Sequence, residues 1–333
     1  MAPQPGSGSL GGLQTARLWA RWIVGAVFAA GLGGCSTAIL DLDSTGSISR
    51  PQVSAEPATI NGRVFVLRGM MGKVFSTGMD DLAAELNSHG LRATVHDREW
   101  EPVADLAIAE YKASQGKMRI MLAGHSDGAD SIIAMSYRLQ EAGIPVALAV
   151  TFDPTRMLQK PVPPNVERFV NLYQSNNLLG GGSSHRAAGF HGHFANVNLR
   201  EREGLGHIAI DKSRALHDAI VPKFLQAAAL GSPPGDDPVP ISYVIPKEAK
   251  LEIWDSGIAI HAEAGDTADT LAARYGVPAW GIRSINALAE DGRILPGQYL
   301  VVPRYVSTPA SIAQMGAPAP DILALTQPQV PRH

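Results

Sequence analysis

Between about residues 59 and 228, short apolar runs alternate with longer segments whose apolar positions recur every three or four residues. The short runs predict strands at 64–68, 93–96, 120–124, 146–152, 169–173 and 194–199. The periodic segments predict helices at 79–88, 104–113, 128–141 and 212–227. Most of these strands are apolar almost throughout rather than at every second position, as expected when both faces of a sheet are covered. Strands of that kind alternating with helices predict an α/β fold with a mostly parallel sheet. A second pattern follows at 256–305: alternation from Ile258, an amphipathic stretch at 268–275, a Gly-Val-Pro break, a second amphipathic stretch at 279–287, and an apolar run at 299–303. It predicts a βααβ module. Between the two lies 229–255, which opens on Gly231-Ser-Pro-Pro-Gly235 and is expected to be a linker. Residues 35–58 lack apolar periodicity and are expected to be a tether, and 306–333 a disordered tail.

Composition narrows the classes. Of 333 residues, 45% are hydrophobic and 18% charged, enough apolar material for a core and too little charge for a disordered polyampholyte. The net charge of −3 offers no basic field for nucleic acid, so none is expected as a partner. The single cysteine rules out an internal disulfide and any zinc site needing two or more cysteines. No metal or organic cofactor is expected.

That cysteine has a telling position. Arg17 and Arg21 precede the apolar run 22–32, which is shorter than the roughly 20 residues that span a bilayer. The run ends in Leu32-Gly-Gly-Cys35-Ser36. The segment resembles a bacterial lipoprotein signal, which implies removal of 1–34 and lipidation of Cys35. An anchored envelope protein is the resulting expectation, with Ser36 favouring the outer membrane over the inner. An ordinary secretory signal with a chance cysteine is the alternative.

The strand at 120–124 runs into Gly124-His125-Ser126-Asp127-Gly128 and then into a helix. G-x-S-x-G in that setting places a serine at a sharp strand-to-helix turn, with Gly124 and Gly128 allowing close backbone passage. A serine nucleophile needs a base, and the base an orienting acid. Asp153 ends the next strand. His185, His191, His193, His207 and His217 lie downstream, and His207, in Gly204-Leu-Gly-His-Ile, falls between the last strand and last helix. His207 is the first choice as base and Asp153 as acid; the strand end 173–177 (Tyr-Gln-Ser-Asn-Asn) offers no carboxylate. His125 is expected to pack beside the elbow. Backbone N–H groups of Asp127 and Met70 are the candidate oxyanion donors. Residues 177–190, with three consecutive glycines, are a candidate flap over the site.

On the elbow, the glycine loop at 69–72 and the Gly-His loop, residues 59–228 resemble a small α/β-hydrolase of the lipase, esterase and thioesterase group. Arg68 stands where the family usually has histidine. The resemblance implies an acyl ester or thioester substrate. Residues 256–305 resemble a LysM domain, on Gly265-Asp-Thr267, Tyr275-Gly-Val, Asn286 and Pro296-Gly-Gln. That likeness implies peptidoglycan as partner, bound through its N-acetylglucosamine by Gly265, Asp266, Thr267, Ala268, Arg293 and Ile294. Asp266 and Thr267 also suit a helix cap. A non-catalytic wall-binding lipoprotein, its α/β domain a scaffold, is the rival reading; amide cleavage would use the same residues.

Overall fold

A computed structural model describes residues 61–155, 160–229 and 237–306. The expected signal with Cys35, the tether and the tail from 307 lie outside those residues.

Seven strands form one sheet: β1 (Gly62–Leu67), β2 (Arg92–His96), β3 (Arg119–His125), β4 (Val146–Phe152), β5 (Arg168–Tyr173), β6 (His193–Asn198) and β7 (Ile241–Val244). Their order is β2-β1-β3-β4-β5-β6-β7, and every neighbouring pair is parallel. Helices α1 (Gly72–Phe75), α2 (Gly78–Ser88), α3 (Trp100–Ala113), α4 (Asp127–Glu141) and α5 (Arg214–Ala229) connect or follow them. Successive side chains of a strand point to opposite faces. In β1, Val64 and Val66 accordingly join one core with Met79, Leu82 and Leu86 of α2 and Ile220 and Phe224 of α5. Phe65 and Leu67 join the other, with Ala107 of α3 and Ile132 and Met135 of α4. Both faces are covered, which is why the strands read as apolar runs. The expected α/β class with a parallel sheet is what is found.

The six expected strands fall within one or two residues of their predicted bounds. Helix α3 begins four residues before its predicted start because Pro102 sits in the first turn, where a missing N–H costs nothing. The last helix begins at Arg214, preceded by one 3-10 turn at Ile210–Lys212.

The stretch 229–255 departs from its expectation. It carries β7, which pairs with β6, and the fully buried Trp254. Four strand residues between Pro240 and Pro246 are too few to show a period, so the pattern hid them. Beyond lie β8 (Ser256–His261), α6 (Ala268–Tyr275), α7 (Ala279–Ile285) and β9 (Tyr299–Arg304), with β8 and β9 antiparallel. Leu271, Ile282, Ile294 and Leu300 fill a small core of their own. This βααβ module is docked, not strung: Trp254 lies 4.7 Å from Tyr243 and 5.1 Å from Trp280 between ring centroids. Ser284 of α7 accepts from the Val244 N–H at 2.9 Å and donates to its carbonyl at 3.2 Å. The free edge of β7 is thereby capped. Beneath, Lys223 and Asp255 form a buried pair at 2.9 Å. Among the described residues no helix is long and apolar enough to cross a membrane.

Candidate active site

In a parallel sheet, the loops after the strand C-termini gather along one rim. Three such loops, with the segment before α5, bring the expected residues together. Ser126 stands between β3 and α4 with φ 58° and ψ −128°, a strained backbone for a residue with a side chain. A Cβ on Gly124 would come within 2.4 Å of the Gly128 carbonyl, and one on Gly128 within 2.5 Å of the Leu67 and Arg68 carbonyls. The two elbow glycines are therefore demanded by backbone passing backbone. The serine heads α4, where the helix dipole is positive.

His207 Nε2 lies 2.9 Å from Ser126 Oγ, and its Nδ1 lies 2.7 Å from Asp153 Oδ2. A carboxylate can only accept, so Nδ1 carries the proton and Nε2 is left to accept from the serine hydroxyl. Asp153, at φ 46°, is fully buried. Its Oδ1 accepts from the Gln174 N–H at 3.1 Å and its Oδ2 from Asn177 Nδ2 at 2.5 Å. Gly180 closes over it so tightly that a Cβ there would lie 2.3 Å from Oδ1.

The remaining histidines are elsewhere. His193 is buried against Ser256 Oγ at 2.9 Å, and His217 donates to the Asp211 carbonyl at 2.7 Å. His185 and His191 are exposed. His125 is buried beneath the elbow; its Nδ1 faces Ser76 Oγ at 2.8 Å and its Nε2 the His207 carbonyl at 2.7 Å. Burial pushes its pKa down, which favours the neutral ring. One turn into α4, burial lifts Asp130 to about 6, against hydrogen bonds from the Thr155 side chain and N–H that pull it down.

The expected oxyanion pair needs correction. The Met70 N–H is not open: it donates to Asp127 Oδ1 at 2.5 Å. Asp127 Oδ2 in turn accepts from Arg98 Nη1 at 3.2 Å. The backbone of Asp127 is the expected donor, yet its side chain reaches across to the other donor; spacing in the sequence carries no sign of this.

A cavity of about 230 Å³ opens on Ser126 and His207, walled by Met70, Met71, Phe75, Leu179 and Ile208. All five apolar side chains are substantially exposed. Larger cavities lie along 69–74 with 97–99, and along 183–190 with β6 and β7. Neither includes the serine. The candidate flap supplies Leu179 and Gly180 to the site.

In the βααβ module, Thr267 caps α6 by a reciprocal bond with Thr270, as expected. Asp266 accepts from the Glu263 N–H at 2.8 Å and from Arg274 at 2.6 Å. Ala268 and Ile294 have their side chains in the core, so of the six expected glycan contacts these two can offer only backbone. Gly265, Thr267 and Arg293 are exposed.

Gln174, Asn177, Ser76 and Arg98 were not singled out from sequence. In sequence, the stretch 173–177 shows only the lack of an acid. Its amides are what a buried carboxylate needs from a neighbour.

Residues 261–303 match the family described as LysM domain, and the βααβ region is a LysM domain. No curated protein matches the chain. Among solved structures, human thioesterase 2 aligns with a TM-score of 0.32 at 9% identity, over 51% of this chain and 99% of that one. RedJ, solved with a PEG molecule bound in its active site, gives 0.32 at 11% identity, over 53% and 96%.

Proposed function

We propose that this protein is a cell-envelope serine hydrolase that cleaves acyl esters or thioesters and is held at peptidoglycan by its LysM domain. The observation that carries the reading is the unbroken hydrogen-bonded chain from Ser126 through His207 to a buried Asp153. Ser126 Oγ attacks the acyl carbonyl while His207 Nε2 takes its proton. Asp153 holds the imidazole in the right tautomer and stabilises the imidazolium. The proton passes to the leaving oxygen or sulfur, and water, activated by the same histidine, releases the acid. The oxyanion would take the place of Asp127 Oδ1 at the Met70 N–H, the carboxylate turning to Arg98, which already holds its other oxygen. The apolar walls suit an acyl chain. The cavity, about 230 Å³ and partly open to solvent, has room for a short acyl chain.

Peptidoglycan binding follows from what LysM domains bind, and the exposed Gly265, Thr267 and Arg293 are its candidate contacts. Lipidation at Cys35 and an outer-membrane location rest on the sequence of the N-terminus. One observation favours the rival, a non-catalytic wall-binding scaffold: the carboxylate at the Met70 N–H. A series of p-nitrophenyl esters of increasing chain length decides. Turnover that peaks at short to medium chains and disappears in Ser126→Ala supports the hydrolase. No turnover in folded wild type supports the scaffold.

A further inference from the structure

Ser76 and His125 are buried polar side chains outside the Ser126–His207–Asp153 chain, 1% exposed each. Their hydrogen bonds follow from the groups they face. The His207 carbonyl can only accept, so His125 Nε2 carries the proton and donates over 2.7 Å. A neutral ring then leaves Nδ1 as acceptor, and the Ser76 hydroxyl donates to it over 2.8 Å. Ser76 Oγ in turn accepts from the Gly69 N–H at 3.1 Å. The line Gly69, Ser76, His125, His207 has no unpaired member and no slack. One end is the residue before Met70, in the loop that lines the site. The other is the backbone of the candidate base.

Resting on the hydrolase reading, we propose that His125 is a positioning residue: with Ser76 it forms a buried strut that fixes the distance between the oxyanion loop and the His207 imidazole. The reasoning is geometric. His207 follows Gly204, at φ 77°, and Gly206, and sits in the turn that the Ala209 and Ile210 N–H groups close on the Gly206 carbonyl, a turn that leaves the His207 carbonyl for His125 to hold. Asp153 holds its ring but not its main chain. The strut supplies that hold from β3, the same strand whose next residue is Ser126. Serine and base are thus referenced to one rigid element. The ring of His125 also lies 5.1 Å from that of His207 between centroids. A second cation there would oppose the imidazolium that forms on His207 during turnover, so the strut works only as a neutral donor.

The test compares His125→Leu, which keeps apolar bulk but has no donor, with His125→Gln, whose amide can still donate to the His207 carbonyl. Ser76→Ala serves as a milder variant that frees only the loop end. Folding is checked by circular dichroism in each. In folded His125→Leu, kcat on a short acyl ester should fall by up to ~10², the scale of a misplacement near 1 Å, with KM within about twofold. His125→Gln should recover most of the loss, and Ser76→Ala should lose about tenfold. A second readout needs no substrate: the downfield proton NMR signal of the His207 Nδ1–H should be sharp in wild type and His125→Gln, and broadened or absent in His125→Leu. If wild type turns over no ester, the hydrolase reading fails and the NMR signal alone judges the strut. Equal behaviour of the Leu and Gln variants in both readouts, or an unchanged kcat and signal in folded His125→Leu, overturns the proposal. If neither His125 variant folds, Ser76→Ala with kcat and signal like wild type overturns it as well.

Discussion

Replacing Trp254 by alanine should destabilise the whole described unit. Trp254 lies in the stretch whose composition promised a linker, yet it is fully buried, in a cluster with Tyr243 of β7 and Trp280 of α7, whose own ring centroids are 6.3 Å apart. Gly281 admits the indole so closely that a Cβ there would lie 2.4 Å from Trp254 Cη2. Removing a large buried aromatic costs about 3–5 kcal/mol in transfer and cavity terms. Each kcal/mol moves the Tm of a unit of 150–250 residues by roughly 2–4 °C. The expected fall is therefore about 6–20 °C, in a single calorimetric transition, because the lost contacts join β7 of the large sheet to α7 of the LysM domain. Differential scanning calorimetry of the full chain measures it. A small early transition with the main one unmoved would refute the coupling, as would a fall below about 2 °C.

Other expectations concern the site and its surroundings. Asp153→Asn should keep the fold and lower kcat by up to ~10⁴, since an amide permits the wrong imidazole tautomer; near-wild-type turnover would remove Asp153 from its role. Ser126→Ala and His207→Ala should each abolish turnover, and the double variant should be no worse, because the two act as one unit; clearly additive losses in steady-state kinetics would contradict this. Asp130 titrates near 6 in the folded protein but near 3.9 when unfolded, so the native state holds a proton that the unfolded chain has released. That contribution is complete below the unfolded pKa and is lost as pH rises through about 6. Thermal melts should therefore show Asp130→Asn gaining on wild type from about pH 4 to 6.5 and levelling off above, and a pH-independent gap would sink the assignment. The full chain should co-sediment with purified peptidoglycan, compete with N-acetylglucosamine oligomers, and bind less well as Arg293→Ala; no pelleting above a control protein would count against the LysM reading.

What was legible in the sequence was what is locally encoded. The elbow could be read because a strand, two glycines and a helix leave the serine one conformation, and Gly124 and Gly128 do meet passing backbone. The βααβ pattern was legible for the same reason: Thr267, Gly276 and Pro278 punctuate α6 and α7 at the positions where caps and breaks belong. What stayed hidden depends on chain segments far apart. Asn177 reaching Asp153, Arg98 reaching Asp127 and Ser76 reaching His125 span 24, 29 and 49 residues. No period or spacing records such meetings. Strand β7 was missed because its alternation lasts four residues, and the evidence for it is its partner β6.

The measurement closest to the central claim is active-site labelling. Wild-type protein incubated with a fluorophosphonate should gain the mass of one phosphonyl group, and peptide mapping should place it on Ser126. Labelling should be lost in Ser126→Ala and strongly slowed in His207→Ala. Folded protein that takes no label, or takes it at another serine, would contradict the account.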